Sequence, residues 1–272
     1  MNSNTVKINN FGDLVYITFP KLTSTKKVRH TFSTRLGGVS SGKWATMNLS
    51  FNQGDDKAAV LKNYEILCGA VGINTENLVL SGQTHTNNVK IVDKTDCGRG
   101  ITKKSFTDVD GLITNERGVA LVTQYADCTP LIFCDPVKSV IATSHAGWRG
   151  TVKQIGKVTV EKMVSYFGSN PKDIVVAIGP SISSCCYEVD EPVFDEFSKA
   201  GFNLEDIFFK KSNGKYMLDL KKANYEILLK SGILPENIDI ADLCTCCNSA
   251  EFHSHRATGG ERGNLAAIIE LI

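Results

Sequence analysis

Two histidines and a cysteine, each lying near the end of a short apolar run, are the residues of this chain best suited to chemistry. They are His85, Cys128 and His145. The apolar runs span residues 78–80, 119–125 and 140–144, and their content predicts buried strands. Because sites in α/β folds form where strands end, we expect the three side chains to meet. Two imidazoles and a thiolate are the donors that a zinc ion with one open position prefers.

Other interpretations of the same residues stay open. A single cysteine after an apolar strand is typical of a packed core, and a single histidine is typical of a polar residue with a local partner. No local spacing rule connects the three positions. A cysteine beside a histidine can also be a nucleophile, so Cys128 and His145 equally predict a hydrolase that needs no metal.

Charged residues close to these positions could assist either chemistry. Asp127 directly precedes Cys128, where it could move protons or orient a ligand. Arg35, Arg149 and Arg256 lie in loops rich in glycine or serine. A guanidinium binds phosphate or carboxylate through two parallel hydrogen bonds. Arg149 is the strongest candidate, because it lies four residues after the candidate metal ligand His145.

The remaining cysteines include two further groups, Cys185–Cys186 and Cys244–Cys247, the second followed by His253 and His255. The C-x-C-C and H-x-H spacings of the second group do not match the ligand spacings of common structural zinc sites. Adjacent cysteines on a strand point to opposite faces, which disfavours chelation of one ion. We therefore expect these residues to serve local structure, with one or two of them lining a pocket.

Composition excludes several classes of function. The 272 residues carry a net charge of +1, which provides no field for nucleic acid or anionic lipid. No apolar run approaches the ~18 residues of a membrane span. Nine cysteines without a visible secretory segment predict reduced thiols and a cytoplasmic protein.

The apolar pattern predicts a mixed α/β chain that folds as one domain over residues 1–272. Strands are predicted at 14–19, 28–32, 78–80, 88–92, 119–125, 130–134, 139–144, 174–178, 238–243 and 265–271. Helices are predicted at 57–71, 151–167, 190–199 and 221–230. Asp55 and Thr151 are the expected N-caps of the first two helices.

A set of motifs resembles one known family, the YfiH-type laccase-domain family. The matching segments run from Phe32 to the C-terminus: 32–40, 47–49, 54–56, 83–85, 126–130, 145–151, 178–182, 186–189 and 244–256. The elements His-Ala-Gly-Trp-Arg-Gly at 145–150 and Ala-Asp-Cys at 126–128 are together the most specific. Thr84, Thr86 and the segment 261–264 depart from the usual family pattern.

The resemblance implies a sandwich of two mixed β-sheets flanked by helices. It also implies zinc bound by His85, Cys128 and His145, with Arg35, Asn48, Arg149 and Arg256 at the substrate or phosphate. The implied activity is phosphorolysis of adenosine, inosine and methylthioadenosine, together with adenosine deamination. Purine nucleoside and phosphate would then be the partners, with Asp127 and Arg149 taking part in catalysis.

The family has also been described as copper-dependent polyphenol oxidases, and some members have been linked to editing of peptidoglycan precursors. A multicopper oxidase needs a blue-copper centre and a histidine-rich trinuclear cluster. This chain has only five histidines, too few for that ligation. Copper bound by two histidines and a cysteine would therefore be adventitious.

Overall fold

The computed structural model describes residues 2–272 and contains fifteen strands in three sheets. In chain order the strands are β1 (Lys7–Phe11), β2 (Leu14–Thr18), β3 (Val28–Ser33), β4 (Leu78–Leu80), β5 (Val89–Ile91), β6 (Gly111–Thr114), β7 (Ala120–Tyr125), β8 (Thr129–Asp135), β9 (Val140–Ala146), β10 (Val175–Ile178), β11 (Glu188–Val189), β12 (Phe208–Lys210), β13 (Tyr216–Leu218), β14 (Ile238–Ile240) and β15 (Leu265–Leu271).

Two six-stranded sheets of mixed direction form the centre of the molecule. The first has the order β1-β2-β3-β15-β7-β4, and the second has the order β14-β10-β8-β9-β6-β5. Most neighbours are antiparallel, while β4–β7, β5–β6 and β10–β14 run parallel. The predicted sandwich of two mixed sheets is therefore confirmed.

An apolar layer between the two sheets is the largest part of the core. Phe32 and Ile269 contribute to this layer from the first sheet, and Ile132 and Ile141 contribute from the second. The central strands are apolar on both faces because helices cover their outer sides. This burial keeps the strand ends around the candidate site in fixed positions.

Eight α-helices accompany the sheets. They are α1 (Pro20–Ser24), α2 (Lys57–Val71), α3 (Trp148–Val152), α4 (Ile155–Phe167), α5 (Glu191–Lys199), α6 (Leu204–Ile207), α7 (Leu220–Lys230) and α8 (His255–Thr258). Helix α2 packs on the outer face of the first sheet, and α4 and α7 pack on the outer face of the second. None of the helices within residues 2–272 has the length and apolar character needed to cross a membrane.

Two details of the predicted helices are wrong. Asp56, not Asp55, caps α2 by accepting a hydrogen bond from the Ala58 amide, while Asp55 accepts from Ser40 and Asn48 instead. The helix predicted over 151–167 is two helices, because Gln154 adopts a left-handed conformation between α3 and α4. Thr151 consequently lies inside α3 and is not a cap.

A small third sheet lies beside the sandwich. It has the order β11-β13-β12 and shares an apolar cluster with α5 and α6, in which Phe197 and Leu218 are fully buried. Trp148 of α3 and Tyr187, just before β11, pack against the same cluster. This sheet therefore supports one side of the candidate site.

Candidate metal centre and cavity

The structure brings His85, Cys128 and His145 together. One ligand atom from each lies within 4.8 Å of the other two. His85 lies in the loop after β4, Cys128 lies in the turn between β7 and β8, and His145 lies within β9. Strand pairing explains the meeting of the last two, since Pro130 of β8 is directly opposite His145 in the register.

Gly147, which joins β9 to α3, lets the chain pass close to these side chains. A Cβ atom at this position would lie 2.8 Å from Nδ1 of His85 and 2.9 Å from Sγ of Cys128. The backbone φ of Gly147 is −66°, which any residue can adopt. The glycine is therefore required for space and not for conformation.

Asp110 organises the centre from behind. One of its oxygens accepts a hydrogen bond from the His145 ring at Nδ1 (2.9 Å), which leaves Nε2 as that ring's ligand atom. The same carboxylate accepts from the amides of Thr84, His85 and Thr86. Burial raises the pKa of Asp110, but these hydrogen bonds outweigh it and lower the pKa to about 2. Asp110 thus stays a carboxylate that fixes both histidines.

Sequence reasoning missed Asp110. An aspartate before a four-residue strand with only two large apolar residues carries no signal of its own. Its relation to His145 exists because β6 pairs with β9, in the register that places Gly111 opposite Ser144. The run Val109–Thr114, an acidic residue at the start of a buried strand, is the only local indication.

The electrostatics of the centre favour a thiolate. Burial raises the pKa of Cys128, but His145 and His85 outweigh that effect and lower it to about 6. Burial lowers the pKa of His145, but Cys128 and Asp110 raise it to about 9. By contrast, burial raises the pKa of Cys134, on the neighbouring strand β8, to about 12. Of these two cysteines, Cys128 is the one suited to ligation or to nucleophilic attack.

A cavity of about 710 Å³ opens beside these three residues. Its aromatic lining consists of Phe106, Tyr125, Trp148 and Tyr187, and its cationic lining of Arg256 and Arg262. Clefts that hold small organic ligands have volumes of this order. The candidate ligand atoms are therefore placed where a molecule of that size could reach them.

Asp127 lines the cavity but is held by two neighbours. Its Oδ1 accepts from the Thr245 hydroxyl (2.6 Å), and its Oδ2 accepts from the Arg256 amide (2.7 Å). Its φ of 85° is left-handed. These hydrogen bonds join the turn that carries Cys128 to the segment 245–256, a positioning role that the sequence had offered as one of two possibilities.

The predicted arginines occupy different positions. The Arg256 guanidinium lines the cavity and donates to the carbonyls of Cys186 (3.1 Å) and Glu188 (2.9 Å). Arg149 is exposed and stacks on the Trp148 ring at 4.2 Å. Since Trp148 lines the cavity, the Trp148 side chain separates Arg149 from it. Arg35 is not in the lining and donates to the carbonyls of Ala45 and Ser249.

Asn48 is fully buried and bonds to its own loop. Its amide nitrogen donates to Ser50 and Asp55, and its oxygen accepts from the amides of Ser50 and Asn264. The asparagine therefore holds Asn264, which lines the cavity, without lining it itself. Arg262, which also lines the cavity, donates to the Asn264 side chain.

The donor set fits a thiophilic transition metal. One sulfur and two imidazole nitrogens suit zinc with an open position, and copper binds such ligands as well. The hydrogen bond from His145 to Asp110 is the carboxylate contact typical of metal-bound histidines. Fold and site together define an α/β sandwich protein with a candidate His₂Cys metal centre at the edge of a cavity.

Comparison with known proteins gives the family. A family model described as "Multi-copper polyphenol oxidoreductase laccase" matches residues 29–272. The chain belongs to this family, as the YfiH-type resemblance predicted. The structure is similar to that of Bacillus licheniformis YfiH, with a TM-score of 0.92 and 30% identity over 99% of this chain and 100% of that one. Geobacillus stearothermophilus YlmD gives a TM-score of 0.91 and 33% identity, covering 97% and 98% of the two chains.

Among characterised relatives, a Bacillus subtilis protein named purine nucleoside phosphorylase YlmD is 38% identical, over 90% of this chain and 89% of its own. A prokaryotic protein named adenosine deaminase RL5 is 35% identical, over 91% of this chain and 96% of its own. Both names describe enzymes that act on purine nucleosides.

Proposed function

We propose that this chain is a zinc-dependent purine nucleoside phosphorylase that also deaminates adenosine. The observation that carries the proposal is a His₂Cys donor set opening on a cavity of about 710 Å³ with aromatic and arginine walls. The names of the relatives support the same class of reaction. Adenosine, inosine and methylthioadenosine are the proposed nucleosides, and phosphate is the second substrate.

His85, Cys128 and His145 would hold the zinc ion, which supplies a Lewis acid at its open position. The aromatic rings of Trp148 and Tyr187 offer flat apolar surfaces for a purine. Burial raises the pKa of Tyr187, so its hydroxyl stays protonated and able to donate a hydrogen bond. The aromatic walls therefore bind and orient the base.

Arginines would hold the phosphate. Two backbone carbonyls fix the Arg256 guanidinium at the cavity wall, so its position is set before phosphate arrives. Arg262 adds a second cation, which is partly buried. Arg149 lies beyond Trp148, and we retain it as a phosphate-binding residue that reaches the cavity when substrate is bound. These cations would offset the charge that phosphate brings to the site.

Deamination makes fewer demands, because water replaces phosphate as the nucleophile. Asp127 is the carboxylate of the cavity lining, and its two hydrogen bonds hold its side chain in a fixed position. We retain Asp127 as the group that accepts a proton from the attacking water. The nine free cysteines suit a reducing compartment, and we propose that the protein acts in the cytoplasm as a single domain.

Product analysis of adenosine turnover tests the proposal. Purified protein is incubated with adenosine over a series of phosphate concentrations, and adenine, ribose 1-phosphate and inosine are measured. We expect ribose 1-phosphate to rise with phosphate, and inosine to form without it. Cys128→Ala should abolish both products, whereas Cys134→Ala should keep them, because that buried thiol lies in the core between the sheets. Absence of ribose 1-phosphate at every phosphate concentration would refute the phosphorylase.

A metal-free cysteine hydrolase is the second candidate, and one observation favours it. Asp110 bonds His145, and His145 faces Cys128, in the order of a catalytic triad. Alkylation separates the two functions, because a metal-bound thiolate is shielded and a nucleophile is not. We expect slow labelling of Cys128 by iodoacetamide in the protein as purified, and faster labelling after chelation. Fast labelling before chelation, with loss of activity, would favour the hydrolase.

A further inference from the structure

A second group of thiols lies in the two loops that contribute Tyr187 and Arg256 to the cavity. Cys185, Cys186, Cys244 and Cys247, here called the cysteine tetrad, have sulfur atoms within 4.8 Å of one another. The first pair lies in the turn before β11, and the second pair lies in the turn after β14. The sequence predicts two separate local features, whereas the fold brings the two pairs together.

The spacing of the sulfur atoms suits one metal ion better than a disulfide. Cys247 Sγ lies 3.4 Å from that of Cys185 and 3.3 Å from that of Cys186, and the sulfurs of Cys185 and Cys186 are 3.8 Å apart. Zinc bound to four thiolates at about 2.3 Å requires sulfur separations of roughly 3.8 Å. A disulfide needs about 2.05 Å and joins only two of the four.

The two loops are already joined by their backbones around the tetrad. Ser181 pairs with Cys244 in a parallel bridge, and the Thr245 amide donates to the Ser181 carbonyl (3.1 Å). The Ser183 amide donates to Sγ of Cys244 at 3.3 Å. Backbone N–H donors directed at sulfur are typical of the surroundings of metal-bound thiolates. The site would therefore be largely formed before an ion binds.

A buried cation next to the tetrad supplies an independent argument. Lys221 is 7% exposed, and its ammonium donates to the carbonyls of Ala241 (2.8 Å) and Leu243 (2.9 Å), the latter directly before Cys244. Within residues 2–272 no carboxylate forms a salt bridge with it, although Asp219 and Asp242 act on its charge at longer range. Buried charges are ordinarily paired. A divalent ion with four thiolates carries two negative charges and would add to this compensation from the side of Cys244.

From these observations we propose that Cys185, Cys186, Cys244 and Cys247 form a second metal site that binds zinc as a tetrathiolate. The ion would connect the loop 181–189 to the loop 244–256. Its consequence for the cavity is direct, because Arg256 donates to the Cys186 carbonyl and Tyr187 is the next residue along the chain. The second site would thus set the shape of the wall that carries both side chains.

Metal analysis in a Cys128→Ala background tests this site without depending on the proposed enzyme activity. The protein is purified without chelator, exposed to zinc under reducing conditions and desalted, and its zinc, copper and iron are measured. We expect about one zinc per chain in Cys128→Ala. Adding Cys185→Ala and Cys247→Ala should lower this at least tenfold. Adding Cys246→Ser instead is the matched control and should leave it unchanged, because Cys246 is outside the tetrad.

A second measurement covers the case in which the triple variant does not fold. Cobalt is titrated into Cys128→Ala, and the intensity of the sulfur-to-cobalt charge-transfer band is measured, since it increases with the number of thiolates. Four thiolates per cobalt support the site, and one or two contradict it. Thiols are also counted by alkylation after denaturation without reductant. The nine cysteines less Cys128 should all react, and a loss of two would indicate a disulfide instead and overturn the proposal.

Discussion

At the scale of single residues, we expect Asp110 to determine how tightly the candidate centre binds an ion. It fixes the His145 ring and receives three backbone amides from the loop of His85. Removal of such a carboxylate contact usually weakens metal binding 10–100-fold. We predict a loss of this size in Asp110→Asn, measured by competition with a chromogenic chelator. Asp108→Asn is the control, because Asp108 accepts its hydrogen bond from the exposed Thr84 hydroxyl and does not contact the His145 ring. Equal affinity in the two variants would contradict the assigned role.

A second prediction concerns the phosphate. Arg149→Lys keeps the positive charge but removes the planar fork and the stacking on Trp148. We expect a KM for phosphate several-fold higher, lower phosphorolytic turnover, unchanged zinc content and little change in deamination. The control is Arg117→Lys, an exposed arginine outside the cavity lining. Equal loss of phosphorolysis and deamination would mean that Arg149 supports the nucleoside or the local structure.

At the scale of elements, the junction between β9 and α3 decides whether the ligands can meet. Gly147→Ala would place a methyl group against His85 and Cys128 without backbone strain. We predict at least a tenfold loss of zinc affinity, with circular dichroism unchanged. Gly69→Ala in α2 is the matched control, since a Cβ there meets nothing within 4 Å. It should preserve metal binding and raise stability by roughly 0.5–1 kcal/mol. Full zinc binding by Gly147→Ala would show that the ligands can move apart.

Strands and helices with a strong apolar pattern could be predicted from the sequence. Elements that depend on pairing with a neighbouring strand could not. The strands predicted at 78–80 and 265–271 have those bounds in the structure, and the helix predicted over 57–71 does too. Strand β6 was missed, because its two large apolar residues, Leu112 and Ile113, give little signal until β9 pairs with the strand. The break between α3 and α4 was missed because Gln154 is not a residue that usually marks a left-handed turn.

The same distinction applies to the sites. His85, Cys128 and His145 could be predicted because three strands end near them and the family motifs include them. The cysteine tetrad could not be, because the argument about opposite faces assumes strand geometry, whereas Cys185, Cys186 and Cys247 lie in turns. Cys244 and Cys247 form a C-x-x-C motif, but Cys246 lies between them, so the motif is hard to recognise in the sequence. The backbone pairing of Ser181 with Cys244 brings this pair to Cys185 and Cys186, and the sequence gives no sign of that pairing.

At the scale of the whole molecule, buried histidines make stability depend on pH. His30 accepts a hydrogen bond from the Phe19 amide, and burial lowers its pKa from 6.5 to about 4. Burial likewise lowers the pKa of His253 to about 3. Between these values and 6.5 the unfolded chain binds more protons than the folded one, so stability rises with pH. It is fully present above about pH 6.5 and is lost as the pH falls toward 4.

The size of this effect at His30 is roughly 3.5 kcal/mol, because its pKa falls from 6.5 to about 4 and one pKa unit corresponds to about 1.4 kcal/mol. We predict that the free energy of unfolding of the wild type, from urea titrations, falls between pH 6.5 and 4.5. In His30→Gln, which keeps an acceptor and cannot be protonated, the fall should be smaller. Both proteins are measured in chelator, so that metal release does not contribute. The same slope in both would show that His30 is not the group that titrates.

The central claim is that phosphorolysis depends on an ion held by His85, Cys128 and His145. The most direct measurement follows ribose 1-phosphate formation by the chelated protein, with all nine cysteines in place, as zinc is added back. We predict little activity at the start, a rise with added zinc to a plateau by about two equivalents, and no recovery in chelated Cys128→Ala treated in the same way. Full turnover in the chelated protein, or recovery without Cys128, would contradict it.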